Sequence, residues 1–126
     1  MAMRLDQALG IQRGDMVSFI GAGGKTSALF RLGWELTARG WRVVATTTTR
    51  VAADEARQAP LALKVSRQSS VDRVFGALNQ YRFVFVYERI QGAKALGLDP
   101  EMTGLLLDRV NSDVLLVEAD GARRMP

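Results

Sequence analysis

The 126-residue sequence contains neither cysteine nor histidine, and both absences narrow its chemistry. Disulfides, thiolate nucleophiles, zinc clusters and histidine general bases are excluded within it. Any reaction must draw on carboxylates, hydroxyls, lysine, arginine and a hard cation. Aromatic residues make up only 7%, which leaves no aromatic-rich basic stripe of the kind that binds nucleic acid. No apolar run approaches the roughly 20 residues of a membrane span, and the start carries no signal-peptide pattern. These absences predict a cytoplasmic protein with neither a membrane nor a nucleic-acid partner.

What is present is ordinary globular composition. Hydrophobic residues reach 48% and charged residues 24%, enough for one domain with a real core. The net charge of +4 is spread along the chain. Arg13, Arg31, Arg42, Arg57, Arg73 and Arg109 are spaced like solvated helix and loop positions.

Short β-rich runs alternate with helical patterns, which predicts an α/β fold with a mainly parallel central sheet covered on both faces. Strands are expected at 16–20, 42–47, 82–87 and 113–117, with a weak one at 62–65. Helices are expected at 4–9, 26–39 and 52–59. In the second of these, Leu29, Leu32, Gly33 and Leu36 share a face, and Gly40 closes it as a C′ residue. Ser70 reads as the N-cap of a further helix with Val71, Val74, Phe75 and Leu78 turned inward. Asp99-Pro100-Glu101 reads as the start of the last helix.

The most informative run is Gly21-Ala22-Gly23-Gly24-Lys25-Thr26-Ser27, placed between a buried strand and a helix. Glycines there let backbone N–H groups converge on a phosphate, because no Cβ blocks the approach. The following helix adds its free N-terminal donors and the positive end of its dipole. Lys25 can reach the terminal phosphates, and the Thr26 hydroxyl suits Mg²⁺. The full Gly-x4-Gly-Lys-[Ser/Thr] form needs glycine at Phe19, so this loop is the compact Gly-x-x-Gly-Lys-Thr form, like that of the Mur-type amide ligases. A dinucleotide fingerprint would need glycine at Thr26 and is excluded.

A P-loop site also needs a carboxylate at the end of an adjacent apolar strand. Val114-Leu115-Leu116-Val117 followed by Glu118-Ala119-Asp120-Gly121 meets that need. Glu118 and Asp120 share a face if the strand persists. The run Thr46-Thr47-Thr48-Thr49-Arg50 reads either as plain β-propensity with a turn, or as hydroxyls from Thr47 and Thr48 beside the metal or γ-phosphate. Arg50, Lys94, Arg123 and Arg124 are candidates for phosphate or acidic-substrate contacts, against a default of solvated surface.

Together, Phe19 through Thr26, Thr46 through Arg50, and Val117-Glu118-Ala119-Asp120-Gly121-Ala122-Arg123-Arg124-Met125-Pro126 resemble the selenium-dependent hydroxylase accessory protein family, the YqeC-like P-loop proteins. Lys94 and Gly97 also sit as that family places them. The resemblance runs over essentially the whole chain and implies a P-loop NTPase-like protein linked to maturation of selenium-dependent molybdenum hydroxylases. The client would then be such a hydroxylase or its cofactor. Family members continue beyond this proline, so residues 1–126 are expected to be one nucleotide-binding domain lacking a C-terminal segment, with self-association through an incomplete sheet.

The combined expectation is a three-layer P-loop NTPase-like domain that binds ATP, or another nucleoside triphosphate, with Mg²⁺. Gly21, Ala22, Gly23, Gly24, Lys25, Thr26, Ser27, Thr47 and Thr48 would bind nucleotide. Thr26, Glu118 and Asp120 would hold the metal, and Lys25, Glu118 and Asp120 would carry any catalysis. Two rivals share the loop: a small-molecule kinase or Mur-like ligase, and a nucleotide-responsive assembly module without turnover.

Overall fold

The computed structural model describes residues 10–20, 25–65 and 68–119. Five parallel strands form the central sheet: β1 (Met16–Ile20), β2 (Val43–Thr47), β4 (Leu61–Lys64), β5 (Phe83–Tyr87) and β8 (Val114–Ala119), in the order β1-β8-β2-β5-β4. Three short strands, β3 (Arg50–Ala52), β6 (Arg89–Gln91) and β7 (Lys94–Leu96), form a separate antiparallel sheet in the order β3-β7-β6. The helices are α1 (Lys25–Ala38), α2 (Ala53–Ala56), α3 (Gln68–Tyr81) and α4 (Pro100–Arg109).

The central strands β2 and β8 are buried along their whole length. That is why they read as continuous apolar runs: a parallel strand packed on both faces has no solvent side to alternate with. One face carries Val43, Ala45, Phe83, Phe85, Val114 and Leu116 against Leu29, Phe30, Leu32 and Leu36 of α1. The other carries Val44, Val84, Val86, Leu115 and Val117 against α3 and α4. Crossovers leading away from β1 use α1 and α2 on the first face. Those returning toward β1 use α3 and α4 on the second, so all share one hand, as parallel connections do.

Local signals explain most element ends. Gly40 takes φ +87°, and the Trp41 and Gly40 amides donate to Leu36 and Thr37 carbonyls at 3.0 and 2.9 Å. This is a Schellman closure at the expected C′ glycine. Asp99 caps α4, its Oδ1 accepting from the Met102 amide at 2.9 Å. Gly33 faces the Phe83 ring so closely that a Cβ would overlap it.

Two expectations need correction. Helix α3 starts at Gln68, so Ser70 lies inside its first turn and is not the cap. Phe75 is 43% exposed, because Val71, Val74 and Leu78 already fill the buried stripe; its ring instead lies 5.3 Å from the Arg42 guanidinium. The helix expected over residues 4–9 lies outside the described residues.

Among the described residues β1 is paired on one side only, to β8. Met16 and Ile20 are 51% and 56% exposed, on the face where β8 presents Leu115. An open edge flanked by apolar side chains invites pairing with another copy. Sedimentation velocity of this chain is expected to show concentration-dependent self-association that Met16→Lys reduces. A clean monomer at high concentration would remove that expectation.

Candidate functional site

The parallel register brings the sequence-distant pieces together. Phe19 of β1 and Thr47 of β2 both pair with Glu118 of β8, so Glu118 stands between two neighbouring strands at the carboxyl edge of the sheet. In open α/β sheets this is the edge where ligands bind. Helix α1 begins at Lys25, directly after the glycine run, and puts Thr26 in its first turn.

The Thr26 hydroxyl donates to Glu118 Oε2. Glu118 is only 3% exposed. Thr47 Oγ1 accepts from the Thr49 amide at 3.1 Å and lies within hydrogen-bond distance of three further oxygens: the Thr49 hydroxyl at 3.1 Å, the Glu118 carbonyl at 3.2 Å and Glu118 Oε1 at 3.4 Å. The Thr48 amide donates to the same carbonyl at 2.9 Å. Among the described side chains this carboxylate is met by the Thr26 and Thr47 hydroxyls. Burying such a group leaves a demand for positive charge that hydroxyls do not fill.

The donor set fits one class of ion. Hydroxyl and carboxylate oxygens are hard ligands, and Mg²⁺ commonly takes only one or two carboxylates while phosphates and water complete its octahedron. Among the described residues no three His, Cys, Asp or Glu side chains gather, so an all-protein cage is absent from them. The residues present are compatible with a hard divalent cation such as Mg²⁺ whose remaining ligands come from elsewhere.

The predicted residues divide clearly. Thr26, Thr47 and Glu118 come into direct contact. Thr48 is exposed and borders a cavity beside them. Ser27 is exposed on α1 and does not line that cavity. Thr46 is buried, and its hydroxyl donates to the Val86 carbonyl at 2.8 Å, which ties β2 to β5. Gly21, Ala22, Gly23, Gly24, Asp120, Arg123 and Arg124, with the side chain of Lys25, lie outside the described residues.

The cavity encloses about 570 Å³ and has Thr26, Glu118, Thr48, Arg50, Glu55 and Lys94 among its walls. Sequence reading missed Glu55 and the whole β3-β7-β6 sheet. A signal existed: Gly92-Ala93 forms a two-residue turn between the paired Gln91 and Lys94, with Gly92 at φ +60°, the glycine-first pattern of tight hairpins. Gly97 packs against the backbone at the end of β2. Its amide donates to the Thr49 carbonyl at 2.8 Å and the Leu98 amide to the Thr47 carbonyl at 3.1 Å.

The family model described as YqeC protein matches residues 17–126. The Escherichia coli (strain K12) protein named "Uncharacterized protein YqeC" is 37% identical over 119 residues, which cover 94% of this chain and 45% of that relative. The chain thus spans less than half the length of the curated relative it matches. No solved structure matches the chain. Among the described residues no helix is long and apolar enough to cross a membrane.

Proposed function

Since the chain belongs to the YqeC family, we propose that its glycine loop and Glu118 form a Mg²⁺-dependent nucleoside triphosphate site. The observation that carries this reading is the buried Glu118 carboxylate bonded to the hydroxyl of Thr26, the last residue of the Gly-Gly-Lys-Thr run. Gly21, Gly23 and Gly24 would supply backbone donors to the phosphates. Lys25 would offset β/γ charge, and Thr26 with Glu118 would hold the metal, assisted by Asp120. When bound, Mg²⁺ supplies charge neutralisation at the terminal phosphate oxygens. Thr47 holds Glu118 in place from the β2 side. Any phosphoryl chemistry here proceeds by positioning and charge stabilisation rather than through a covalent nucleophile. ATP is the proposed nucleotide, and maturation of selenium-dependent molybdenum hydroxylases is the proposed setting, the latter resting on the family resemblance alone.

The test compares ATP affinity with Mg²⁺ and with EDTA by calorimetry. Glu118→Gln keeps the shape and one acceptor oxygen while removing the charge, its NH2 donating to one of the two threonine hydroxyls instead of accepting from it, so it tests chiefly the metal's demand for charge. It is expected to lower affinity in Mg²⁺ about tenfold and to leave affinity in EDTA nearly unchanged, a difference of about 1.4 kcal/mol. Asp120→Asn is expected to act in the same sense but more weakly. If both variants keep the wild-type ratio of the two affinities, the metal is held elsewhere.

A further inference from the structure

The antiparallel sheet lies beside the proposed triphosphate site and supplies none of its residues. Arg50 faces Leu96 and Ala52 faces Lys94 across the β3–β7 pair. Facing residues and residues two apart share one side of a sheet, so Arg50, Ala52, Lys94 and Leu96 form a single surface. All four line the cavity whose other wall is Thr26 and Glu118.

That surface is fixed to the main sheet. The Gly97 amide bonds the Thr49 carbonyl, the Glu88 amide bonds the Leu96 carbonyl, and the Ala53 amide bonds the Ala93 carbonyl, each at 2.8 Å. Two cations are therefore held over a roomy polar cavity, and neither Arg50 nor Lys94 forms an ion pair among the described residues. Two carboxylates also face the space. Glu118 is engaged by Thr26 and Thr47, which leaves Glu55 as the acidic group still free to meet a ligand. A volume of about 570 Å³ is within the range of small-molecule sites.

We propose that this cavity is a second-ligand site for a small organic anion, a phosphate monoester or a carboxylate, gripped by Arg50 and Lys94. Glu55 accepts a hydrogen bond from a hydroxyl or ammonium group on the same molecule. The placement rests on the nucleotide reading: with Mg²⁺ and triphosphate at Thr26 and Glu118, the second ligand lies on the terminal-phosphate side. Arg50 suits either anion because its fork matches both geometries, whereas Lys94 adds a point charge.

The test uses amide chemical shifts of ¹⁵N-labelled protein holding Mg²⁺ and a non-hydrolysable ATP analogue. Inorganic phosphate and malonate are titrated separately, with chloride matched for ionic strength, so the two arms distinguish phosphate from carboxylate ligands. Saturable shifts are expected at Arg50, Lys94 and their strand neighbours. The double variant Arg50→Gln, Lys94→Gln is expected to weaken anion binding at least tenfold, with dispersed spectra and unchanged analogue affinity. Shifts that are absent in both arms, or that persist in the double variant, overturn the proposal. So does a loss of analogue affinity in that variant, which would assign both cations to the triphosphate. Should the analogue fail to bind while phosphate still shifts Arg50 and Lys94, the nucleotide reading falls and the anion site stands.

Discussion

Lys25→Ala is expected to weaken Mg²⁺–ATP binding by about tenfold to a hundredfold. A charge-assisted hydrogen bond to phosphate contributes roughly 1.5–3 kcal/mol, and each 1.4 kcal/mol is about a factor of ten. Stability without nucleotide should move little, and in an informative direction. Lys25 is the first residue of α1, and a cation at a helix N-terminus opposes the dipole. Removing it is therefore expected to leave the unliganded melting temperature unchanged or slightly raised. Calorimetry against ATP, with thermal unfolding of the free protein beside it, reads both quantities. Equal nucleotide affinity in the two proteins would remove the triphosphate reading.

Gly97→Ala is expected to damage stability and site together. A Cβ at position 97 would overlap the Thr47 carbonyl oxygen, a backbone atom that cannot rotate away. That carbonyl also accepts from the Leu98 amide, and the Thr47 hydroxyl reaches Glu118. Relieving the overlap means moving the end of β2 or lifting the loop that links β7 to α4. Overpacking of this kind costs about 1–3 kcal/mol, and the upper end corresponds to roughly 10 °C in melting temperature for a domain of this size. The shift of Thr47 should also loosen Glu118 and lower Mg²⁺-dependent nucleotide affinity. Gly104 gives the control: it lies within α4, where a Cβ would meet open space. Gly104→Ala is expected to stabilise by about 0.5–1 kcal/mol, because alanine favours the helix. If Gly97→Ala melts with the wild type, the close approach is not a constraint on the fold.

Much of this architecture was legible along the chain. Strands β2, β5 and β8 announce themselves because burial on both faces demands unbroken apolar runs. The ends of α1 and α4 were legible because Gly40 and Asp99 carry chemistry that works through immediate neighbours. The start of α3 was not, since Ser69 and Ser70 can each cap a helix or sit in its first turn. The outward turn of Phe75 depends on which neighbours fill the stripe first. Strands β3, β6 and β7 are three residues each, too short for periodicity to separate them from loop. The Gly92-Ala93 turn was the one local trace of their hairpin.

For the site, the sequence alone determined the ingredients: a Gly-Gly-Lys-Thr run after a strand, an acid ending the last apolar run, and enough likeness to place the chain in the YqeC family. These are local facts, fixed by residue type and by spacing within one turn or strand. Only the tertiary structure decided their assembly. The order β1-β8-β2 sets Glu118 between Thr26 and Thr47, 92 and 71 residues away in sequence. The same folding swings Arg50 and Lys94 across the opening from a sheet whose one sequence trace is the Gly92-Ala93 turn. Strand order and crossover hand follow from how layers cover one another's apolar faces. No stretch of chain carries that information by itself.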